Sequence, residues 1–366
     1  MKLGFGLYAH QLTDEDLAFA RQCGATHVVV HLVDYFYGIE ERGRDNQPVG
    51  GPSGWGYAGK NRDLWSEKSL RSLVKRLSEH GLTLAALENF DPADWHDVLL
   101  AGPKRDEQLD YLKQLIGNVG RAGIPMIGYN FSLAGVASRV SGAFARGDAA
   151  SVGMEAVDET PIPQGMVWNM IYDAQLAEDA FRAGRYQPEI SADELWEREA
   201  YFLDALLPVA EKEGVVLAAH PDDPPVERVR RQPRLVWKPE LYDRLLDLRR
   251  SPSNKLEFCL GTIAEMPGHD VYETLRHYLS RDAIAYIHFR NVVGHAPNYR
   301  ETFIDDGAVD MRRVMRILAE EDYDGVIVPD HTPQMSCDAP WHAGMAYAMG
   351  YMRALAGEFG CLRTEP

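Results

Sequence analysis

The sequence has few cysteines, and none of them forms a CxxC pair. The four cysteines, at positions 23, 259, 337 and 361, are too scattered over 366 residues for a disulfide framework. No apolar run reaches the roughly 20 residues that a membrane-spanning helix needs. The first residues, MKLGFGLYAHQLTDEDL, contain no apolar signal-peptide core. We therefore expect a cytoplasmic protein that does not bind a membrane.

Positive charge is also scarce. Lys and Arg number 38 against 55 Asp and Glu, and the net charge is -17. This balance disfavours binding to nucleic acid, whose phosphates attract Lys and Arg, and to anionic membrane surfaces. It does not exclude a small acidic substrate, because a bound divalent cation and a few Arg side chains reverse the field locally.

The chain does contain a repeating pattern of short apolar runs followed by amphipathic stretches, which is typical of βαβ units. No GxGxxG follows the first run, which argues against a doubly wound open sheet. The pattern predicts an α/β fold, a single (β/α)8 TIM barrel over residues 1–366. The eight predicted strands are Lys2–Tyr8, His27–Leu32, Thr83–Leu87, Pro125–Tyr129, Val215–Ala219, Leu256–Cys259, Ala283–Phe289 and Gly325–Pro329.

The pattern is interrupted after the fourth strand. Residues 131–190 are rich in Gly, Ser and Pro but include the apolar stretch GMVWNMIYD. A segment this long inside a compact domain is usually functional, so we predict an insertion that caps the active site. Helices are predicted near Thr13–Cys23, Ser66–His80, Arg105–Ala122, Ser191–Glu213, Pro239–Arg249, Val271–Leu279, Met311–Glu321 and Ala343–Phe359.

Four successive strands end on side chains that can bind a metal: His220, Cys259, His288 and Asp330. The carboxyl ends of barrel strands converge at one face, where active sites are built, so we expect these four donors in one site. Two imidazoles, a thiolate and a carboxylate suit Zn²⁺, Fe²⁺, Co²⁺ or Mn²⁺. Catalysis requires an open coordination position, which favours Mn²⁺ or Fe²⁺. A closed, structural Zn²⁺ clamp is the alternative.

Other strand ends carry polar residues that are candidates for substrate binding. These are Glu88, Asn130 and, at the second strand, His31 or Asp34. Arg290 follows His288 by two residues and shares its strand face. We predict that Arg290 grips a substrate carboxylate, with an ion pair to a neighbouring carboxylate as the alternative.

The loops beyond the strands hold further candidates. His331 directly follows Asp330 and is a candidate general acid or base, or else an orienting partner of Asp330. In the motif HPDDPP, Asp222 and Asp223 are expected to orient His220, to shape the turn or to meet substrate hydroxyls. A nearby basic cluster is expected to lie mostly in solvent: Arg228, Arg230, Arg231 and Arg234.

Several motifs, in this order, resemble the mannonate dehydratases: HPDDPP, FCLGT, HFRN, ETFIDDGAVDM and PDH. The stretches KRLSEHGLTLAALENF and RDEQLDYLKQLIGNVGRAGIPMIGYNF resemble the same family, so the likeness covers most of the chain. That family adopts a TIM barrel related to the xylose isomerase-like enzymes. The resemblance implies Mn²⁺-dependent dehydration of a sugar acid, D-mannonate to 2-keto-3-deoxy-D-gluconate, through an enediolate.

The resemblance also implies residue roles. His220, Cys259, His288 and Asp330 would bind the metal, His331 would transfer protons, and Asn130 would lie near the substrate. The family's additional catalytic tyrosine falls in CDAPWHAGMAYAMGYM, where Trp341 or His342 takes its place and Tyr347 is the substitute candidate. A homo-oligomer is expected.

Two departures from the family pattern lie where substrate specificity is set. The segment VASRV keeps Arg139 but lacks the family's acidic and Trp residues, and the first strand reads GLY at Gly6–Tyr8. An isomerase or epimerase of keto sugars on the same barrel is therefore the second hypothesis. A sugar-acid binding protein without activity is the third.

Overall fold

Eight parallel strands close into a barrel in the computed structural model, which describes residues 1–38 and 54–363. Each strand pairs with its neighbours along the chain, and the eighth pairs with the first. This confirms the (β/α)8 barrel, with predicted strand ends that differ from the observed ones by a residue or two. The barrel strands are Lys2–Tyr8, His27–His31, Thr83–Glu88, Met126–Tyr129, Val216–Ala219, Asn254–Cys259, Ile284–His288 and Val326–Val328.

The helices begin at the caps that the sequence suggests. The hydroxyl of Thr13 accepts a hydrogen bond from the Asp16 amide at 3.1 Å, and Ser191 forms a capping box with Glu194. None of the described helices has the length and apolar composition of a membrane span. The α-helices in the described chain are Asp14–Gln22, Glu67–Glu79, His96–Leu100, Arg105–Arg121, Ala174–Ala183, Ala192–Glu213, Glu240–Leu248, Leu260–Glu265, Val271–Leu279, Met311–Glu320 and Pro340–Glu358.

Apolar residues fill two layers of the barrel. The larger layer lies between strands and helices and includes Leu3, Phe5 and Leu7 of the first strand. The smaller layer lies inside the ring and is packed tightly, since a Cβ on Gly4 would lie 2.6 Å from Val326 Cγ1. Its members are Val29, Ala85, Ala86, Ala218, Tyr286, Val326 and Val328. Apolar side chains thus fill part of the barrel interior, and polar side chains occupy the carboxyl ends of the strands.

The insertion after the fourth barrel strand is folded against the barrel mouth. Its strands Arg139–Ala145 and Ala149–Met154 are antiparallel to each other. The second of them pairs with Asn298–Glu301, which forms a hairpin with Val292–His295 beyond the seventh barrel strand. We call these four strands the cap sheet. The insertion also contains the helix Ala174–Ala183 and the short strand pair Met166–Val167 and Met170–Ile171.

The basic cluster attaches this insertion to the barrel, which corrects the expectation that it lies mostly in solvent. Arg230 and Arg234 are only 1% and 2% exposed. Arg230 donates to Asn169 Oδ1 at 3.0 Å, and Arg234 donates to Ser132 Oγ at 2.7 Å. These two guanidinium groups bridge the loop after the fifth strand to the insertion, whereas Arg228 and Arg231 are exposed.

Glu199 is a buried carboxyl group that does not line the barrel mouth. Glu199 lies on the helix Ala192–Glu213, and the hydroxyl of Tyr129 donates to its Oε1 at 3.5 Å. Burial, with a smaller contribution from Asp222, raises the pKa of Glu199 to about 8. The folded protein therefore retains this proton at pH values where the unfolded chain has released it.

We predict that Glu199→Gln becomes more stabilising relative to the wild type as pH rises. The pKa of Glu199 is higher in the folded protein, about 8, than in the unfolded chain, near 4.3. The stability that protonated Glu199 contributes is therefore fully present below about pH 4.3 and is lost as pH rises toward about 8. Urea unfolding between about pH 5 and pH 8 should show the difference growing by a few kcal/mol, since each pKa unit is worth about 1.4 kcal/mol. Glu197→Gln, an exposed change on the same helix, is the control. A pH-independent difference for Glu199→Gln would contradict the prediction.

Candidate active site

A cavity of about 160 Å³ opens at the carboxyl ends of the barrel strands, beneath the cap sheet. The insertion contributes Arg139, Ser141, Ser151 and Trp168 to its walls. Aromatic rings of Tyr8, Tyr35, Trp55 and Trp341 line it as well. Most of the residues selected from the sequence also line this cavity: His31, Glu88, Asn130, His220, Asp223, His288, Asp330, His331 and Trp341.

The four predicted metal donors lie close together: His220, His288 and Asp330 line this cavity, and Cys259 is buried beside them. Donor atoms of His220, Cys259 and His288 all lie within 4.8 Å of one another. Asp330 completes the group, with Oδ2 3.9 Å from Cys259 Sγ and Oδ1 3.6 Å from His288 Nδ1. The register of the barrel accounts for this proximity, because Cys259 and His288 are direct neighbours on paired strands.

The surroundings of Cys259 favour its thiolate form. The residue ends the sixth strand and caps the helix Leu260–Glu265, where the Thr262 amide donates to Sγ at 3.4 Å. Burial opposes ionisation, but the charge of Arg290 and hydrogen bonds with His220 and His288 outweigh it and lower the pKa of Cys259 to about 5. A thiolate is the form of cysteine that binds metals.

A second group of donors lies deeper in the barrel and shares His288. Carboxylate oxygens of Glu88 and Glu257 lie within 4.8 Å of each other and of a His288 ring nitrogen. Burial and the charge of Glu88 raise the pKa of Glu257 to about 8. Burial also disfavours the ionised form of Glu88, but the positive charges of His31 and His288 outweigh burial and lower the pKa of Glu88 to about 2. Our sequence reasoning missed Glu257, although its two-residue spacing from Cys259 places both side chains on one strand face.

His331 faces the cavity between two carboxylates. Its Nδ1 lies 3.2 Å from both carboxylate oxygens of Glu301, a residue of the cap sheet. Its Nε2 lies 3.1 Å from Asp330 Oδ1. Nη1 of Arg290 also lies 3.1 Å from Nδ1, so the imidazole is held at the edge of the donor group by Glu301, Arg290 and Asp330.

Arg290 is buried beside the cavity and does not line it. Its guanidinium donates to Asp223 at 2.9 Å, to Glu301 at 2.9 Å and to Glu265 at 3.1 Å. Arg290 therefore forms ion pairs with neighbouring carboxylates, which was the alternative interpretation. The prediction that it binds a substrate carboxylate is corrected. Arg139 is the arginine that lines the cavity, with Nη2 2.7 Å from Asp223 Oδ2.

The two aspartates of HPDDPP have separate environments. Asp222 lies away from the cavity, where its carboxylate accepts from the amides of Leu235 and Val236 at 2.7 and 2.8 Å and from Arg234 at 2.9 Å. Asp222 therefore shapes the turn, and the prediction that it contacts the substrate is corrected. Asp223 lines the cavity.

The candidates for a second acid or base are dispersed. Tyr347 is 37% exposed, lies outside the cavity and bonds through its hydroxyl to Arg146 at 3.4 Å, so its catalytic assignment is corrected. His342 lies 3.3 Å from Asp16, whereas Trp341 lines the cavity. Asn130 donates from Nδ2 to the Pro221 carbonyl at 3.3 Å, and its Oδ1 is buried with no hydrogen-bond partner in residues 1–38 and 54–363.

Comparison with solved structures defines the class of fold. A D-psicose 3-epimerase from Clostridium cellulolyticum H10 aligns over 97% of this chain and 99% of its own with a TM-score of 0.58, at only 11% identity. The crystal structure of mannonate dehydratase from Streptococcus suis serotype 2 aligns over 98% of this chain and 95% of its own, with a TM-score of 0.75 and 26% identity. The chain has the barrel of the xylose isomerase-like proteins.

Sequence comparison then identifies the family. The family model described as D-mannonate dehydratase (UxuA) matches residues 1–359. Mannonate dehydratase of Streptococcus pneumoniae (strain 70585) is 32% identical over 280 residues, which cover 73% of this chain and 74% of the relative. The Lactococcus lactis enzyme of the same name (strain IL1403) is 29% identical over 290 residues, or 74% and 79% of the two chains. The chain belongs to the D-mannonate dehydratase family. A dehydratase of this kind is a hydro-lyase.

We predict that Tyr347→Phe leaves catalysis intact, since its hydroxyl contacts Arg146 outside the cavity. Steady-state kinetics with D-mannonate should give kcat/KM within about twofold of the wild type, a change of roughly 0.4 kcal/mol. Tyr8→Phe, which removes a hydroxyl from the cavity wall, is the comparison. A hundredfold loss in Tyr347→Phe would return this residue to the active site.

Proposed function

We propose that this enzyme is a metal-dependent hydro-lyase that converts D-mannonate, or a closely related sugar acid, to 2-keto-3-deoxy-D-gluconate and water. The observation that carries the proposal is the placement of His331 in the cavity beside His220, His288 and Asp330, with the buried thiol of Cys259 adjoining them. The curated relatives named mannonate dehydratase support the substrate.

The residues present fit a divalent cation. Nδ1 of His220 lies 2.6 Å from the Pro221 carbonyl, which leaves Nε2 as a donor. Among the described residues, Nδ1 of His288 is buried without a hydrogen-bond partner, and the environment of Cys259 favours the thiolate. We propose Mn²⁺, with Fe²⁺, Co²⁺ and Zn²⁺ as alternatives, because a mixed donor set with open positions accepts each of them. A bound cation would stabilise negative charge on a substrate carboxylate and its neighbouring hydroxyl.

Dehydration of an aldonate requires two proton movements. The C2 proton must leave to a base, and the C3 hydroxyl must leave as water after receiving a proton; the resulting enol then becomes the 2-keto acid. His331 is placed for this work, since Glu301 and Arg290 hold Nδ1 and Nε2 is directed to the metal-donor side of the cavity. An imidazole so held exchanges protons through Nε2.

The remaining cavity walls suit a hydroxylated acid. Arg139 supplies a buried positive charge, and Asn130 offers a side-chain carbonyl oxygen that has no partner among the residues the structure describes. The indole N–H of Trp55 is likewise buried without a partner in the described chain. We propose that these groups, with His31 and Glu88, contact the substrate, because buried polar atoms need hydrogen-bond partners.

An isomerase or epimerase acting on a keto sugar is the second hypothesis. The likeness to the psicose epimerase, at 11% identity, extends only to the fold. Both reactions begin with removal of a proton next to a metal-bound oxygen function, so the metal donors alone do not separate them. A homo-oligomeric assembly and a cytoplasmic location remain parts of this proposal that rest on the sequence.

We predict that the purified protein with Mn²⁺ converts D-mannonate to a 2-keto-3-deoxy acid. His331→Asn should keep the metal and lose about 100- to 10,000-fold in kcat, the contribution expected of a general acid or base. Product can be followed by a colour reaction for 2-keto-3-deoxy acids, and metal by elemental analysis. Turnover of a ketose without turnover of D-mannonate would favour the isomerase. Loss of metal from His331→Asn would place this residue among the metal ligands.

We also predict that Cys259→Ser weakens Mn²⁺ binding by more than the 10- to 100-fold typical of residues that only support a ligand. A hydroxyl is a poorer ligand than a thiolate, and the change leaves the packing volume similar. Equilibrium dialysis measures the affinity. Cys23→Ser, outside the cavity, is the matched control. Unchanged affinity in Cys259→Ser would exclude Cys259 from the site.

A further inference from the structure

The barrel strands contain three glycines, and packing explains only two of them. A Cβ on Gly4 would lie 2.6 Å from Val326 Cγ1, and a Cβ on Gly128 would lie 2.2 Å from the Tyr286 hydroxyl. A Cβ on Gly6, by contrast, would meet no atom of the described residues within 4 Å. Gly6 also lacks the positive φ that favours glycine, so other residues can adopt its backbone conformation. Neither packing nor backbone geometry therefore requires a glycine at this position.

Gly6 faces the cavity just above the inner apolar layer. Side chains alternate along the first strand, and Phe5 and Leu7 pack in the layer against the helices. Gly4, Gly6 and Tyr8 therefore face the barrel interior. Gly4 is buried, whereas Gly6 and Tyr8 are partly exposed and line the cavity. The backbone of the first strand is thus open to the cavity at Gly6.

Two aromatic side chains flank the space above Gly6. Tyr8 leans toward the second strand, where its ring centroid lies 5.0 Å from that of His31. Trp341, at the start of the last helix, packs on Phe5 with ring centroids 5.7 Å apart and also lines the cavity. Each of these two side chains has an apolar face and one polar group at its tip. That combination suits a chain of hydroxylated carbons.

The position of this space relative to the predicted metal donors indicates what occupies it. The donors follow or end the fifth to eighth strands, and His331 follows the eighth. The carbons that react therefore belong at that side of the cavity. Because the barrel is closed, the first strand is the direct neighbour of the eighth. A substrate held beside His331 and longer than its reacting carbons extends over Gly6.

We propose that Gly6 determines the length of the substrate, because the space above it receives the distal carbons, C4 to C6, of a six-carbon sugar acid. The inference deepens the proposed function and rests on it. A glycine in a strand lets a ligand approach the backbone closely, and any larger residue here would project into the cavity. The residue thus acts through the volume that it leaves free.

The test enlarges residue 6 and compares two substrates. D-Lyxonate has the configuration of D-mannonate at C2, C3 and C4 but is one carbon shorter. Gly6→Val should lower kcat/KM for D-mannonate about 10- to 200-fold, the effect of one methylene group too many in a pocket. The loss for D-lyxonate should be smaller, so the preference for the six-carbon acid falls. If D-lyxonate is not turned over, its inhibition constant against D-mannonate gives the same comparison.

Stability and metal content are measured on the same variants. Gly6→Ala and Gly6→Val should keep the Tm and the Mn²⁺ content of the wild type, because the added atoms enter open space. Gly4→Ala is the contrast on the same strand face: its Cβ would collide with Val326, so Tm should fall while the preference between the two acids is kept. Gly350→Ala adds the same methyl group on an exposed helix face and is the neutral control.

Three results would overturn the inference. They are an unchanged kcat/KM for both acids in Gly6→Val, an equal loss for both acids, and a lowered Tm in Gly6→Ala, which would mean that the space is filled. A wild-type enzyme that turns over D-mannonate in each of these cases leaves the proposed function standing. A wild-type enzyme that turns over no sugar acid with Mn²⁺ would overturn the proposed function, and this inference with it.

Discussion

The guanidinium of Arg290 lies between four carboxyl groups from four parts of the chain: Asp223 after the fifth strand, Glu265 after the sixth, Glu301 in the cap sheet and Asp330 after the eighth strand. Arg290, Asp223, Glu265 and Glu301 are all buried, so the charges among them depend on one another for compensation. Removing one partner from such a set typically costs about 3–5 kcal/mol, because a charge is left unpaired away from water. Glu301 in turn holds His331, and the charge of Arg290 favours the thiolate form of Cys259.

The barrel and the grouping of metal donors were predictable because both depend on local sequence patterns. Short apolar runs specify strands, and a parallel closed barrel brings their carboxyl ends to one face. Once His220, Cys259, His288 and Asp330 are recognised as strand ends, the fold itself makes them neighbours. Helix starts were predictable for the same reason, since a cap such as Ser191 acts within its own first turn.

The rest depends on partners that are distant in the sequence. Arg290 shares the strand face of His288, but it is buried in ion pairs because of carboxylates that come from distant parts of the chain. One of them, Asp223, also pairs with Arg139, which lies 84 positions away in the sequence. Arg230 is buried by an insertion whose path no local pattern specifies. Strand parity alone would place Glu257 in the barrel. Only the three-dimensional structure shows that it faces His288.

The backbone ladder of the cap sheet has a mechanical consequence. Tyr299 and Arg300 of the hairpin pair with Met154 and Gly153 of the insertion. Tyr299 also donates to Asp223 at 3.2 Å, and Ser151 donates to the Glu301 carbonyl at 2.6 Å. Lifting this roof as one piece would keep its ladder intact but would break the buried contacts that join Tyr299 to Asp223 and Glu301 to Arg290. A molecule that enters or leaves the chamber without breaking these contacts passes beside the roof, and the width of that passage limits the size of what can be exchanged.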